Sequence, residues 1–177
     1  QRVFEQAQLL TAKPVLYVCN VAEDEAATGN ALSEAVAAKA ESEGAQSVVV
    51  SAAIESELVG MEEDDRGEYL AELGLEESGL ARVVRAGYEL LQLQTYFTAG
   101  PKESRAWTFP KGAKAPQAAG EIHTDFERGF IKAETIGYDD YIASNGESGA
   151  REAGKLRQEG KDYLVQDGDV LNFKFNV

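Results

Sequence analysis

The apolar positions of this chain change their period as the chain proceeds, and each change marks an element. Val3, Phe4, Ala7 and Leu10 fall on one side of a helix predicted over residues 2–10, and Lys13-Pro14 breaks it. Val15-Leu16-Tyr17-Val18-Cys19 is a continuous apolar run, the pattern of a strand buried on both faces of a parallel sheet. A polar loop follows, then an alanine-rich helix over residues 30–42 with Leu32, Val36 and Ala40 as its apolar stripe and Gly44 as its stop. Residues 47–51 read as a second buried strand. Strand, helix and strand with short links predict a right-handed βαβ unit. Helices are then predicted over residues 54–60, over 64–73, and from Ser78 as N-cap to Leu91. The last places Leu80, Val83, Val84, Gly87, Leu90 and Leu91 on its apolar or small side.

Near Leu93 the pattern turns from alanine-rich helices to aromatic strands. Residues 93–98 and 104–109 are strand-like runs joined through Gly100-Pro101, a turn signal that predicts a hairpin. Residues 115–126 fit one helix with Ala118, Ala119, Ile122 and Phe126 on one face, and 130–136 a strand. Residues 138–144 read as a short helix, 145–149 as a loop, and 163–165 and 170–176 as closing strands joined by a turn at 166–169. Clean alternation in the last strand sets Leu171, Phe173, Phe175 and Val177 on one side and Val170, Asn172, Lys174 and Asn176 on the other. Two strands, a helix and further strands predict a small α+β sheet of the β-grasp kind.

Candidate chemistry gathers at the carboxyl ends of the first two strands, where ligands bind in open α/β sheets. Asn20-Val21-Ala22-Glu23 follows the first. Its Asn-x-x-Glu spacing is that of the Asn-Lys-x-Asp base-reading motif of GTPase-related P-loop proteins, with Val21 for lysine and Glu23 for aspartate. An aspartate there accepts from N–H groups that guanine carries and adenine lacks, whereas an asparagine amide pairs bidentately with adenine N6 and N7. The motif therefore points to ATP rather than GTP. Asparagine is also an ordinary turn residue at a strand end. Ser51-Ala52-Ala53 follows the second strand, in the place of the Ser-Ala-Lys loop whose backbone N–H groups approach the base; the same residues also read as a plain helix start.

Composition narrows these readings. The 177 residues hold 17 Lys and Arg against 31 Asp and Glu, a formal charge of −14. Residues 1–118 carry 10 basic and 19 acidic side chains and residues 119–177 carry 7 and 12, so neither portion has the footprint of a general nucleic-acid binder. No apolar run approaches a membrane span, and no signal-peptide pattern opens the chain. Cys19 is the single cysteine, which excludes a disulfide framework, fits a reducing cytosol and reads as a small core residue. With one cysteine and one histidine, His123, no familiar zinc site assembles. His123 reads as structural or surface. The run Glu62-Glu63-Asp64-Asp65 reads as a solvated helix N-terminus. Arg105, Trp107, Arg128 and Lys132 are candidates for a basic-aromatic patch, set against ordinary sheet packing with solvated charges. Gly149-Ala150-Arg151-Glu152-Ala153-Gly154-Lys155 matches the first part of a phosphate-binding loop, but Leu156 stands where serine or threonine would hold magnesium, and no strand precedes it.

Taken with Leu9-Leu10-Thr11-Ala12-Lys13-Pro14, Leu73-Gly74-Leu75, Thr95-Tyr96-Phe97-Thr98-Ala99-Gly100, Arg105-Ala106-Trp107-Thr108, Ile122-His123-Thr124-Asp125-Phe126 and Gly160-Lys161-Asp162-Tyr163, the chain resembles the YchF/Obg-like ATPase family over nearly its whole length. The resemblance implies an α/β fold: the second half of a P-loop ATPase domain over residues 1–93, entered from the end of a coiled-coil helix at 1–12. A β-grasp TGS domain would follow over 94–177. It also implies a cytoplasmic, ribosome-associated ATPase, expected to be monomeric with no membrane or DNA partner and linked to translation and stress response. Asn20, Val21, Glu23, Ser51, Ala52 and Ala53 would contact the base of ATP. The phosphate loop and the Mg2+ ligands have no counterpart here, so no catalytic residue is assigned and the chain alone is expected to be inactive. The rival reading is a non-enzymatic β-grasp interaction module whose α/β half is a scaffold without nucleotide.

Overall fold

The computed structural model describes residues 9–176. The predicted helix over 2–10 lies outside them except for its last two positions; a single 3-10 turn, Leu10–Ala12, leads into the first strand. Contacts divide the chain into two units, one through Leu91 and one from Gln92.

In the first unit β1 (Leu16–Asn20) pairs in parallel with β2 (Gln46–Val50), Leu16 beside Gln46 through Asn20 beside Val50. Helix α1 (Ala31–Glu43) links them. It begins at Asn30, whose side chain accepts from the N–H groups of Leu32 and Ser33 while Ser33 Oγ accepts from Asn30 N–H. It ends at Gly44, in the left-handed conformation at φ 68°. The buried positions of α1 are Ser33 and Ala40; Leu32 is 78% exposed, so the expected stripe is rotated. The covered stripe runs instead through Ser33, the half-buried Val36 and Ala40.

Helices α2 (Ala52–Val59), α3 (Glu63–Glu72) and α4 (Gly79–Leu90) complete the unit. Ile54, Leu58, Leu70, Leu75 and Ala26 form its core. Two expectations are corrected here. Strand β1 is not buried on both faces, since Val18 is 51% exposed and Cys19 is only partly covered. On α4, Leu80 and Val84 are exposed, as is Leu91 at its C-cap.

The second unit is a five-stranded mixed sheet in the order β4-β3-β7-β5-β6. Its strands are β3 (Leu93–Ala99), β4 (Ser104–Pro110), β5 (Phe130–Gly137), β6 (Arg157–Glu159) and β7 (Asp169–Phe175). The first and last strands lie side by side and parallel, Phe97 opposite Val170, with hairpin partners outside them; this is the β-grasp order. Helices α5 (Ala115–Gly120) and α6 (Thr124–Arg128) cover one face. Tyr96, Phe109, Ala118, Phe130, Leu171 and Phe173 are in the core between them. The buried Tyr96 hydroxyl donates to Ala118 O at 2.9 Å, tying the β3-β4 hairpin to α5. Two short helices, α7 (Tyr138–Ala143) and α8 (Glu147–Glu152), follow β5.

The sequence reading needs four changes in this unit. One helix was expected over 115–126; two are found, because His123 takes extended backbone and its Nδ1 caps α6 by accepting from Asp125 N–H at 3.2 Å. Residues 147–149 are helical rather than loop. Residues 163–165 form only an isolated bridge, Leu164 to Lys114. The edge strand β6 was not expected, since Arg157-Gln158-Glu159 carries no apolar residue. The start of β7 is secured by Asp169, nearly buried, which accepts from Tyr163 Oη at 2.7 Å and Gln166 N–H at 2.9 Å.

Candidate functional site

The parallel register sets the ends of β1 and β2 side by side, Asn20 beside Val50, so the loops that follow are neighbours. Val21 N–H donates to Val50 O at 2.9 Å and extends the ladder by one bond. Ser51 then caps α2. Across this gap Asn20 Oδ1 accepts from Ala52 N–H at 2.9 Å. That bond satisfies one of the donors that a helix start leaves without a partner, and it fixes the amide of Asn20. A carbonyl oxygen has two lone pairs and the amide nitrogen two N–H groups, so Asn20 retains an acceptor position and both donors.

The six candidate residues are thus drawn to one end of the two-stranded sheet, but they are not equivalent. Asn20 is exposed and anchored. Glu23 is exposed and opens a 3-10 turn, Glu23–Glu25. The N–H groups of Val21 and Ala52 are already used. Ala53 N–H lies in the first turn of α2, where a helix leaves backbone donors without intrahelical partners. Ser51 is 2% exposed and its Oγ makes no hydrogen bond among the described residues, so it lies beneath the surface rather than on it.

Three supporting interactions were not read from the sequence. Glu25 accepts from Asn30 Nδ2 at 2.8 Å and closes the loop that carries Glu23. Glu55, in the first turn of α2, accepts from Gly79 N–H at 2.6 Å and Leu80 N–H at 3.2 Å and so caps α4. Tyr69 donates to Glu57; that hydrogen bond, then burial and the charges of Glu57 and Glu23, push its pKa up to about 12. A capping box within one helix is visible as a spacing, whereas a cap reaching 24 residues along the chain is not.

The other singled-out residues do not join this site. Lys155 of the phosphate-loop-like stretch pairs with Asp140 at 3.1 Å, and the stretch begins in α8 after another short helix. Glu63, Asp64 and Asp65 form the first turn of α3. Among the described residues no group of three His, Cys, Asp or Glu is placed to hold a metal ion. Arg105 lies over Trp107, 4.1 Å from the ring centroid, but Lys132 does not extend that patch. It stands on β5, separated from β4 by two strands and facing the opposite side of the sheet from Trp107, and it donates to Gln158 at 3.0 Å.

The fold is that of a mixed α/β protein in which a parallel βαβ unit is followed by a β-grasp sheet. A family described as "YchF-GTPase_C: Protein of unknown function (DUF933)" matches residues 93–176. The "Ribosome-binding ATPase YchF" of Escherichia coli O157:H7 is 58% identical over 168 residues, 95% of this chain and 46% of that protein. The protein of that name from Bacillus subtilis is 55% identical over 179 residues, 100% of this chain and 49% of its own length. "Obg-like ATPase 1" of Rattus norvegicus is 44% identical, covering 99% of this chain and 45% of its own. The solved structure of the Schizosaccharomyces pombe YchF GTPase superposes with a TM-score of 0.79 at 36% identity, over 98% of this chain and 46% of that one. The chain belongs to the YchF/Obg-like family. It spans about half the length of the curated relatives it matches.

Proposed function

We propose that this chain supplies base recognition and a docking domain to a ribosome-associated, cytoplasmic P-loop ATPase. The Asn20–Ala52 hydrogen bond carries the reading, because it joins the two loops that would hold a base and leaves the Asn20 donors to face it. Asn20, Glu23 and the N–H of Ala53 would contact adenine, with Val21 beside them and Ser51 beneath. Glu23 in place of a shorter aspartate favours adenine over guanine. The relatives' names, ribosome-binding and Obg-like ATPase, support the activity and the partner over a nucleotide-free adaptor.

The reaction would be attack of water on the γ-phosphate of ATP, with Mg2+ neutralising charge on the phosphates. These 177 residues contain no phosphate-binding loop, and the described residues offer no metal cluster. Phosphates and Mg2+ would be held by other parts of the complete protein, whose relatives are about twice as long. The second unit fits a TGS domain, and its ribosome contact would rest on a few local groups such as Arg105 and Arg128 rather than on net charge.

The test is to compare the 177-residue chain with a full-length protein containing it. The full-length protein should turn over ATP with Mg2+ and co-sediment with ribosomes, and the 177-residue chain should show no turnover. Magnesium-dependent turnover by the chain alone, surviving Lys155→Ala, would refute the assignment.

A further inference from the structure

The two edges of the five-stranded sheet are built differently. Strand β6 spans three residues, two of them charged, and Arg157 is paired with Glu159 at 3.3 Å. Short, charged edges resist addition of another strand. Strand β4 is seven residues long and exposed at most positions. Its register shows which backbone groups point away from the sheet. Gly100 N–H donates to Glu103 O at 2.9 Å and Lys111 N–H to Gln92 O at 2.8 Å, at the two ends of the hairpin. In an antiparallel pair, hydrogen-bonded and non-hydrogen-bonded pairs alternate. Residues 105, 107 and 109 therefore bond inward to β3, and the N–H and C=O groups of Ser104 and Ala106 point outward. The side chains at these two positions are small and uncharged, so neither blocks an approaching backbone.

The side chains around this edge carry a preference for charge. Arg105 lies over Trp107 and, with Lys102 and Lys111, has no carboxylate partner among the described residues. Of the sixteen described Lys and Arg side chains seven are in ion pairs with carboxylates, and these three, close together along the chain, are among the nine that are not. Open backbone groups at strand spacing beside unpaired cations fit an extended peptide bearing acidic side chains. We infer that β4 is a docking edge on which an acidic segment of a partner protein adds as a sixth strand, through main-chain bonds to Ser104 and Ala106 with a carboxylate against Arg105. This surface is remote in sequence from the base site and does not depend on the ATPase chemistry, but it shares Arg105 with the ribosome contact proposed above.

The probe is an acetylated, amidated peptide of alternating threonine and glutamate, eight residues long by design as about the length of β4. It is added to the 177-residue chain while backbone amide exchange is followed by NMR. The Ser104 and Ala106 amides should gain protection, while the inward amides of Arg105 and Trp107 keep the protection they already have. Arg105→Glu should abolish the effect. So should N-methylation of alternate peptide amides, which leaves the protein unchanged and guards against a variant that fails to fold. Equal effects from the N-methylated peptide, or no protection at saturating peptide, would overturn the inference. So would uridine oligonucleotides perturbing these amides where the peptide does not, which would make the edge an RNA surface.

Discussion

The side-chain oxygen of Asn20 and the backbone N–H of Ala52 are 2.9 Å apart, joining positions 32 residues distant in the chain. One polar residue at the end of β1 thus completes the start of α2. Asn20→Asp keeps an acceptor for Ala52 and removes the amide donors; Asn20→Ala removes both. Because the bond is exposed, Asn20→Ala should destabilise the first unit by only about 0.5–1 kcal/mol, and Asn20→Asp by less. Urea unfolding of the 177-residue chain measures both. Equal losses would mean that Ala52 does not depend on this oxygen.

Glu55 and Gly79 make a second joint. A Cβ on Gly79 would stand 2.9 Å from Glu55 Oε1 and 3.0 Å from Val50 Cβ, so Gly79→Ala must displace either the cap or β2. Although alanine is intrinsically the better helix former, this substitution should destabilise, by about 1–3 kcal/mol for overpacking. Glu55→Ala should cost about 1 kcal/mol as a lost cap. A thermal melt of Gly79→Ala at or above the wild-type midpoint would contradict the close approach.

Much of the architecture was legible because the signals were local. Asn30 and Gly44 bracket α1 as a cap and a left-handed stop, and the alternation of β7 is plain in its residues. Legibility failed where a single residue's conformation or a long-range partner decided the outcome. The apolar period over 115–126 runs straight through His123, whose extended backbone ends one helix and caps the next. Strand β6 exists by pairing with residues 133–135 of β5, and nothing in its own sequence asks for a strand. The Asn20 motif could be read, but the buried position of Ser51 and the prior use of Ala52 N–H could not, because both depend on the register between β1 and β2.

In the second unit Phe173 is 8% exposed, with Tyr96 edge-on at 5.7 Å and Phe130 at 6.1 Å between ring centroids. Phe173→Ala should cost about 3–5 kcal/mol, while Phe175, half-buried and stacked on Phe126, should tolerate truncation better. We expect residues 92–177, expressed alone, to melt cooperatively; a broad transition would place the folding boundary elsewhere.

Alkaline pH should loosen the same unit. Burial, with the hydrogen bond to Asp169, pushes the Tyr163 pKa up to about 12. The fold favours the protonated phenol, so its contribution is fully present below the unfolded value of about 10 and lost as pH rises toward 12. Urea midpoints should therefore fall above about pH 10. Tyr163→Phe should lower stability at neutral pH and flatten that alkaline decline. An unchanged alkaline slope in the variant would remove Tyr163 from the account.

The central claim, that these loops read adenine, is tested most directly by calorimetric titration of the full-length protein with ATP and with GTP, before and after Asn20→Ala. ATP should bind more tightly than GTP, and Asn20→Ala should weaken ATP binding by about 1–3 kcal/mol, the size of a good bidentate base contact. GTP binding at least as tightly as ATP, or ATP affinity indifferent to Asn20, would contradict it.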